Sequence, residues 1–254
     1  MISINKIKNL KSLHQKKYRK QEKLFLLEGY RLINQALLAK ANFKEVWLTS
    51  ESKNSSFGKK IIEKLNNQNI PFDIAPKKII KQISDSLNDQ GIIALLPIPK
   101  YIKLNKIPDR SIYLDGISDP GNMGTILRTA SWFGVKSIFY SSKCVDPFNS
   151  KVIRSAMGAH FYFSHLELIS ELEQFEKFKS MNVEILGAEM DGKPVRSSVD
   201  LNYAKWMLVL GNEAHGISDD IREYISGSIS IKGCSELESL NVSIAAGILL
   251  YSLV

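Results

Sequence analysis

Two rhythms of apolar and polar positions alternate along this chain. Residues 30–41, YRLINQALLAKA, place apolar side chains at helical spacing, and residues 43–49, FKEVWLT, read as a strand. A helix is predicted over 56–68, a strand over 70–75, a helix over 76–87 and a strand over 91–97. Alternation at this spacing predicts a small α/β layer domain over residues 1–100. Residues 97–108, PIPKYIKLNKIP, hold three prolines and no clear period, and are taken as a linker. The pattern then restarts over 109–254. Strands are predicted at 111–115, 135–141, 183–190, 206–211 and 226–231, and extended chain at 158–163. Helices are predicted at 149–157, at 166–181 and from Ser239 to the end. The run WMLVLG is apolar almost throughout, as expected of a strand buried on both faces of a parallel sheet.

Two stretches of this second half end a strand in glycine and polar residues. In YLDGISDPGNMGTILRTA a strand passes through a glycine turn into a helix whose apolar positions Met123, Ile126, Leu127, Ala130 and Phe133 form one face. Arg128 lies outside that face, four residues after Gly124, so its guanidinium leans back over a bare position and the preceding turn. Such a turn presents backbone N–H groups and a helix N-terminus to an anion. The second stretch, LVLGNEAHGIS, spaces Gly211 and Gly216 like a phosphate loop. However, Ile217 stands where the lysine belongs and Glu213 would repel phosphate, which disfavours a nucleoside triphosphatase.

The final helix, SLNVSIAAGILLYSLV, is expected to be capped by Ser239. It carries two apolar stripes. One runs through Leu240, Ile244, Ile248 and Tyr251; the other, through Ser243, Ala246, Gly247 and Leu250, has small residues suited to close helix approach and a dimer contact.

Charge divides the chain as the patterns do. The net charge is +8 over 254 residues, but residues 1–108 hold 21 Lys/Arg against 8 Asp/Glu, whereas 109–254 hold 13 against 18. A basic first half suggests a polyanionic partner, with Lys16, Lys17, Arg19 and Lys20 as its candidate contacts. Two distant cysteines, Cys144 and Cys234, allow no metal spacing and imply no disulfide framework, which fits a reducing cytoplasm. The N-terminus lacks the apolar core of a signal peptide, and the most apolar stretch, 13 residues, is too short to span a bilayer. The four histidines show no partner pattern and are read as structural or surface residues.

Taken in order, N-x-G-x-x-x-R-T-A at 122–130, L-G-N-E-x-x-G-I at 210–217 and S-L-N-V-S-I-A-A-G at 239–247 resemble the SpoU (TrmH-type) branch of the SPOUT methyltransferases. DPFNSKVIRSAMGA at 146–159 is similar to the same family, and residues 18–37 resemble the substrate-binding extension found before many of its catalytic domains. The resemblance implies an α/β domain whose C-terminal segment forms a deep trefoil knot, preceded by an L30e/L7Ae-like RNA-binding fold. It implies a homodimer that binds S-adenosylmethionine in the knot and methylates a ribose 2′-hydroxyl in structured RNA, ribosomal or transfer. It assigns catalytic roles to Asn122, Arg128, Glu213, Ser239 and Asn241, and cofactor contacts, largely through backbone, to Gly211, Ile231 and Leu240. Arg128 stays protonated, so its expected part is to grip the RNA phosphate and orient the hydroxyl. Lys232 stands where many relatives have proline, so the cofactor loop at Ile231 is expected to differ from theirs in rigidity. Two alternatives are an inactive RNA-binding relative, disfavoured by the presence of all five polar residues, and methylation of a base atom, disfavoured by the first motif.

Overall fold

The computed structural model describes residues 2–86, 89–101, 108–170, 172–195, 203–234 and 239–254. By packing, Met1–Lys100 and Asp146–Phe161 form one unit, and Tyr101–Val145 with Tyr162–Val254 form the other. The sequence division at 100/109 placed 146–161 with the second domain; its side chains pack into the first.

In the first unit, four strands lie in the order β1 (Leu24–Glu28), β4 (Ile92–Pro97), β2 (Glu45–Leu48) and β3 (Asp73–Ile74). The β1–β4 and β4–β2 pairs are antiparallel and β2–β3 is parallel. The basic N-terminal run is not a loose arm. It folds as α1 (Ile4–Ser12), capped by Ser3, and α2 (Lys16–Glu22). Leu10 and Leu13 are buried against Trp47, Ile80, Ile83, Ile93 and Leu95. Helix α3 (Tyr30–Leu38) buries Leu32, Ile33, Ala36 and Leu37. α4 (Ser50–Asn54), α5 (Ser56–Asn67) and α6 (Lys77–Ile83) complete the layer.

The returning segment 146–161 seals this unit. Phe148 and Phe161 pack on Phe25 of β1, with ring centroids 5.1 and 6.4 Å apart. Asp146 Oδ2 accepts from Arg19 Nε at 2.8 Å and from Nη2 at 2.6 Å, and Arg19 Nη1 donates to Leu13 O at 2.7 Å. Arg19 is 2 % exposed. It therefore drops out as an RNA contact: its charge is spent on a buried pair. Lys16, Lys17 and Lys20, on the same helix, are exposed. The expected extended chain at 158–163 is instead a 3-10 turn, Ala159–Tyr162. It buries His160, whose Nε2 lies 2.7 Å from Pro147 O. Burial holds this imidazole down to about 4, neutral at physiological pH, with Nε2–H donating.

The second unit is one six-stranded parallel sheet in the order β10 (Gly227–Ser230), β8 (Glu184–Pro194), β9 (Trp206–Leu210), β5 (Arg110–Leu114), β6 (Ser137–Tyr140), β7 (His165–Leu168). All five residues of β9 are buried, as its unbroken apolar run requires. Tyr113, Phe139, Phe175, Phe178, Ile185, Met207 and Val209 share one core cluster. The helix expected over 166–181 is a strand and a helix, β7 and then α9 (Glu173–Ser180). Pairing with β6, Ser137 opposite His165, overrides the helical spacing of LELISEL. Cys144 is buried and lies 3.2 Å from Leu114 O. Burial pushes its thiol up, so it stays protonated and acts as packing.

Candidate active site

The two central strands of the parallel sheet, β5 and β9, run side by side with Leu114 opposite Leu210. From β5 the chain continues outward to β6, while β9 is flanked by β8 on its other side. The carboxyl ends of such a divergent pair are where open α/β sheets bind ligands. Here those ends carry the first two motifs.

After β5 the chain turns through Gly116 and enters α7 (Pro120–Trp132). Asp119 caps this helix, its Oδ1 accepting from Asn122 N–H at 2.8 Å, and Pro120 occupies the first turn. Met123, Ile126, Leu127 and Ala130 are wholly buried and Phe133 partly so, which fixes the helix's rotation. Arg128 then points to solvent, and among the described residues its guanidinium has no hydrogen-bond or ion-pair partner.

After β9 the loop 211–217 closes on itself before the short helix α10 (Asp219–Arg222). Asn212 and Gly216 exchange backbone hydrogen bonds of 2.9 and 2.8 Å. The closure brings backbone against Gly211, where an added Cβ would stand 2.3 Å from Gly216 C and 2.5 Å from Ile217 N. Only glycine fits. Glu213, exposed, accepts a hydrogen bond from Asn122 Nδ2.

The third motif joins these two. Asn241, not Ser239, caps α11 (Val242–Leu253): its Oδ1 accepts from Ser243 N–H at 3.0 Å and from Ser243 Oγ at 2.6 Å. Its Nδ2 donates to Asn122 Oδ1 at 3.0 Å. Asn241, Asn122 and Glu213, widely separated in sequence, thus form one hydrogen-bonded line. Asn122 uses both ends of its amide, which fixes which end is oxygen. Ser239 is exposed, two residues before the cap. Ile231, just beyond β10, is half-buried and Leu240 is 47 % exposed, so both leave apolar surface open. The stripes of α11 divide opposite to expectation. Ser243, Ala246 and Leu250 are buried within the subunit as α11 packs on α7, and Gly247 lies over Thr129. The open stripe is the larger one, with Ile244 56 % and Tyr251 76 % exposed.

Sequence reasoning missed two residues that build this site. Asn212 Nδ2 donates to Gly116 O at 2.8 Å while its Oδ1 accepts from Ala214 N–H at 2.9 Å. Asp115, 4 % exposed, accepts from Ser218 N–H at 2.8 Å. Together they tie the second motif's loop to the first motif's turn. The signal was the pairing of polar residues with strand ends, Leu-Asp and Leu-Gly-Asn, which single motifs do not reveal.

Residues 109–251 match the SpoU rRNA Methylase family and residues 5–94 the MRM3-like substrate binding domain. The chain belongs to the SpoU rRNA methylase family. It is an S-adenosylmethionine-dependent RNA methyltransferase. The 23S rRNA (guanosine(2553)-2'-O)-methyltransferase RlmP of Bacillus subtilis is 28% identical over 252 residues, 98% of this chain and 95% of its own length. A solved TrmH-family structure from Porphyromonas gingivalis superposes with a TM-score of 0.84 at 29% identity, covering 100% of this chain and 98% of that one. An AdoMet-bound rRNA methyltransferase from Sinorhizobium meliloti, 24% identical, shares the fold with a TM-score of 0.82 over 100% and 96% of the two chains. The second unit of this SpoU protein has the SPOUT α/β-knot fold, whose trefoil knot is among the rare exceptions to unknotted topology.

Proposed function

We propose that this SpoU-family chain methylates a ribose 2′-hydroxyl of ribosomal RNA in the cytoplasm. The observation that carries the reading is the line Asn241–Asn122–Glu213, which draws all three motifs to the carboxyl edge of β5 and β9. Support for ribosomal over transfer RNA comes from full-length relatives such as the Bacillus subtilis enzyme, which acts on 23S rRNA.

The residues present suit the cofactor. Gly211 in the loop 211–217, Ile231 after β10 and Leu240 before α11 offer backbone donors and acceptors, and the open apolar surface of Ile231 and Leu240 suits an adenine face. When bound, S-adenosylmethionine supplies its methyl group as an electrophile on a positively charged sulfur. Asn122, bonded to both Glu213 and Asn241, ties the loop 211–217 to the start of α11, with Ser239 two residues before Asn241 in the chain. Glu213 keeps a carboxylate at the edge of the site, where it favours a cation. Arg128, without a partner among the described residues, grips the RNA phosphate beside the target ribose and orients the hydroxyl, with that phosphate helping to take the proton. Positioning of this kind supplies much of the rate in a transfer reaction.

The reading extends to assembly and RNA capture. The open stripe of Ile244, Ile248 and Tyr251, with Trp132 at 86 % exposure, is an apolar face on α7 and α11 that a twofold copy would cover. Lys16, Lys17 and Lys20 face solvent on α2 and contact the RNA backbone. The test is methyl transfer from labelled S-adenosylmethionine to purified ribosomal and transfer RNA. Label in ribosomal RNA, at a ribose, is expected; label confined to transfer RNA or to a base would overturn the assignment.

A further inference from the structure

The first unit contains a cavity of about 230 Å3 built entirely from its own residues. The turn between β1 and α3 forms one wall, and the end of α8 (Ser150–Ala156) forms another. Leu32, Ile92 and Met157 supply apolar surface. Arg31 and Arg154 line it, and among the described residues neither guanidinium has a partner. Two carboxylates line it as well, each held by its own neighbours. Glu28 accepts from Ser84 Oγ and from Asp85 N–H at 3.1 Å, and Asp89 accepts from Gly91 N–H at 3.1 Å. Open donors and fixed acceptors thus surround an apolar floor.

We infer that this cavity receives one unpaired base of the RNA, and that guanine fits it best. The inference rests on the RNA-methyltransferase reading. The volume lies below the roughly 300–1,000 Å3 of sites that enclose a drug-sized ligand, and so suits a single planar group. A phosphate is disfavoured, because Glu28 and Asp89 would repel it and the apolar floor would gain nothing from it. A guanine edge offers both kinds of partner: O6 and N7 accept from an arginine fork, and its N–H groups donate to a carboxylate. Unpaired bases that stack on side chains and are read at their edges are the usual means of sequence recognition in RNA.

The backbone of the wall adds a separate observation. Met157 ends α8 in the left-handed region, φ +52°, where glycine is the unstrained residue. Gly158, the next residue, is also left-handed, φ +87°. Met157 at this cap places a flexible thioether on the cavity wall, a side chain well suited to a flat aromatic face.

Fluorescence anisotropy with the full chain tests the inference. The probes are a short oligouridine and the same oligonucleotide carrying one guanosine, one adenosine or one cytidine. The guanosine probe should bind about tenfold more tightly than the others, the scale of one bidentate base contact. Arg154→Met should remove that preference and leave oligouridine binding unchanged. Met157→Gly should weaken the preference without lowering the melting temperature. Equal binding of all four probes by the wild type would overturn the proposal. So would a preference that survives both substitutions, or an Arg154→Met loss shared by every probe, the mark of a phosphate contact. Calorimetry with S-adenosylmethionine on the same samples keeps the two readings apart. Absent cofactor binding would count against the methyltransferase reading, while the ranking of the probes still decides the base site.

Discussion

Arg128 is the residue whose role follows most directly from its surroundings. Its helix buries the opposite face completely, so the guanidinium cannot retreat inward, and it has no described partner on the protein. Arg128→Ala should therefore leave fold and cofactor affinity near normal while lowering kcat by about 10²-fold or more, the scale for losing a positioned catalytic group. Steady-state kinetics with calorimetry on the variant checks this; activity within a few-fold of wild type would remove the role. Gly211 makes the contrary prediction. Gly211→Ala pushes a methyl into the backbone of residues 216 and 217 and should destabilise the protein by about 1–3 kcal/mol or more, read as a lowered denaturation midpoint. Both residues were legible in the sequence as members of motifs. The separate fate of Arg19 was not. Nothing in a run of lysines distinguishes the one cation that meets a carboxylate 127 positions away.

At the level of elements, the alternation of strand and helix was legible because most elements carry one dominant period. The exceptions have a common cause. The run from Leu166 has helical spacing, but His165–Leu168 pair with β6, and 158–163 reads as extended but its His160 and Phe161 close over Pro147 and Phe25. Tertiary pairing decided both. That second segment yields a pH prediction. His160 is held down to about 4, below the ordinary 6.5, chiefly by burial; its hydrogen bond to Pro147 and the charge of Asp146 act the other way. Above about pH 6.5 the ring is neutral in both folded and unfolded chains and its contribution to stability is constant. As pH falls from 6.5 to 4 the unfolded chain takes up a proton that the folded chain refuses, so stability is lost, reaching about 3 kcal/mol. His160→Gln, which does not titrate, should lose correspondingly less over that window when urea midpoints are compared at pH 7 and pH 4.5. Parallel losses in the two proteins would show that the imidazole is not the group responsible. The cap of α11 is a second case. Asn241→Ala should cost about 1 kcal/mol as a lost cap and, because the same side chain holds Asn122, also weaken cofactor binding.

For the whole molecule, sequence patterns showed two regions of opposite charge and a buried parallel sheet, but not how the final helix divides its faces. The small residues of α11 let it lie close on α7, and this turns the larger apolar residues outward. That division is the basis for the proposed dimer through Ile244, Ile248, Tyr251 and Trp132. Ile244→Glu with Tyr251→Glu should shift light scattering from dimer to monomer without unfolding the subunit. An unshifted dimer would place the contact elsewhere. Replacing Lys16, Lys17 and Lys20 by glutamine should flatten the salt dependence of RNA binding, since each lost phosphate contact removes roughly one unit of slope.

The central claim is that the line joining the three motifs serves ribose methylation of ribosomal RNA, with Arg128 as the group that holds the acceptor. Sequencing-based mapping of 2′-O-methyl groups in ribosomal and transfer RNA tests it most directly, in a strain lacking the chain and in the same strain carrying either the wild-type or the Arg128→Ala protein. One ribosomal ribose should lose its methyl group on deletion, regain it with the wild type and stay largely unmethylated with Arg128→Ala. A ribosomal methylation pattern unchanged by deletion would contradict the account.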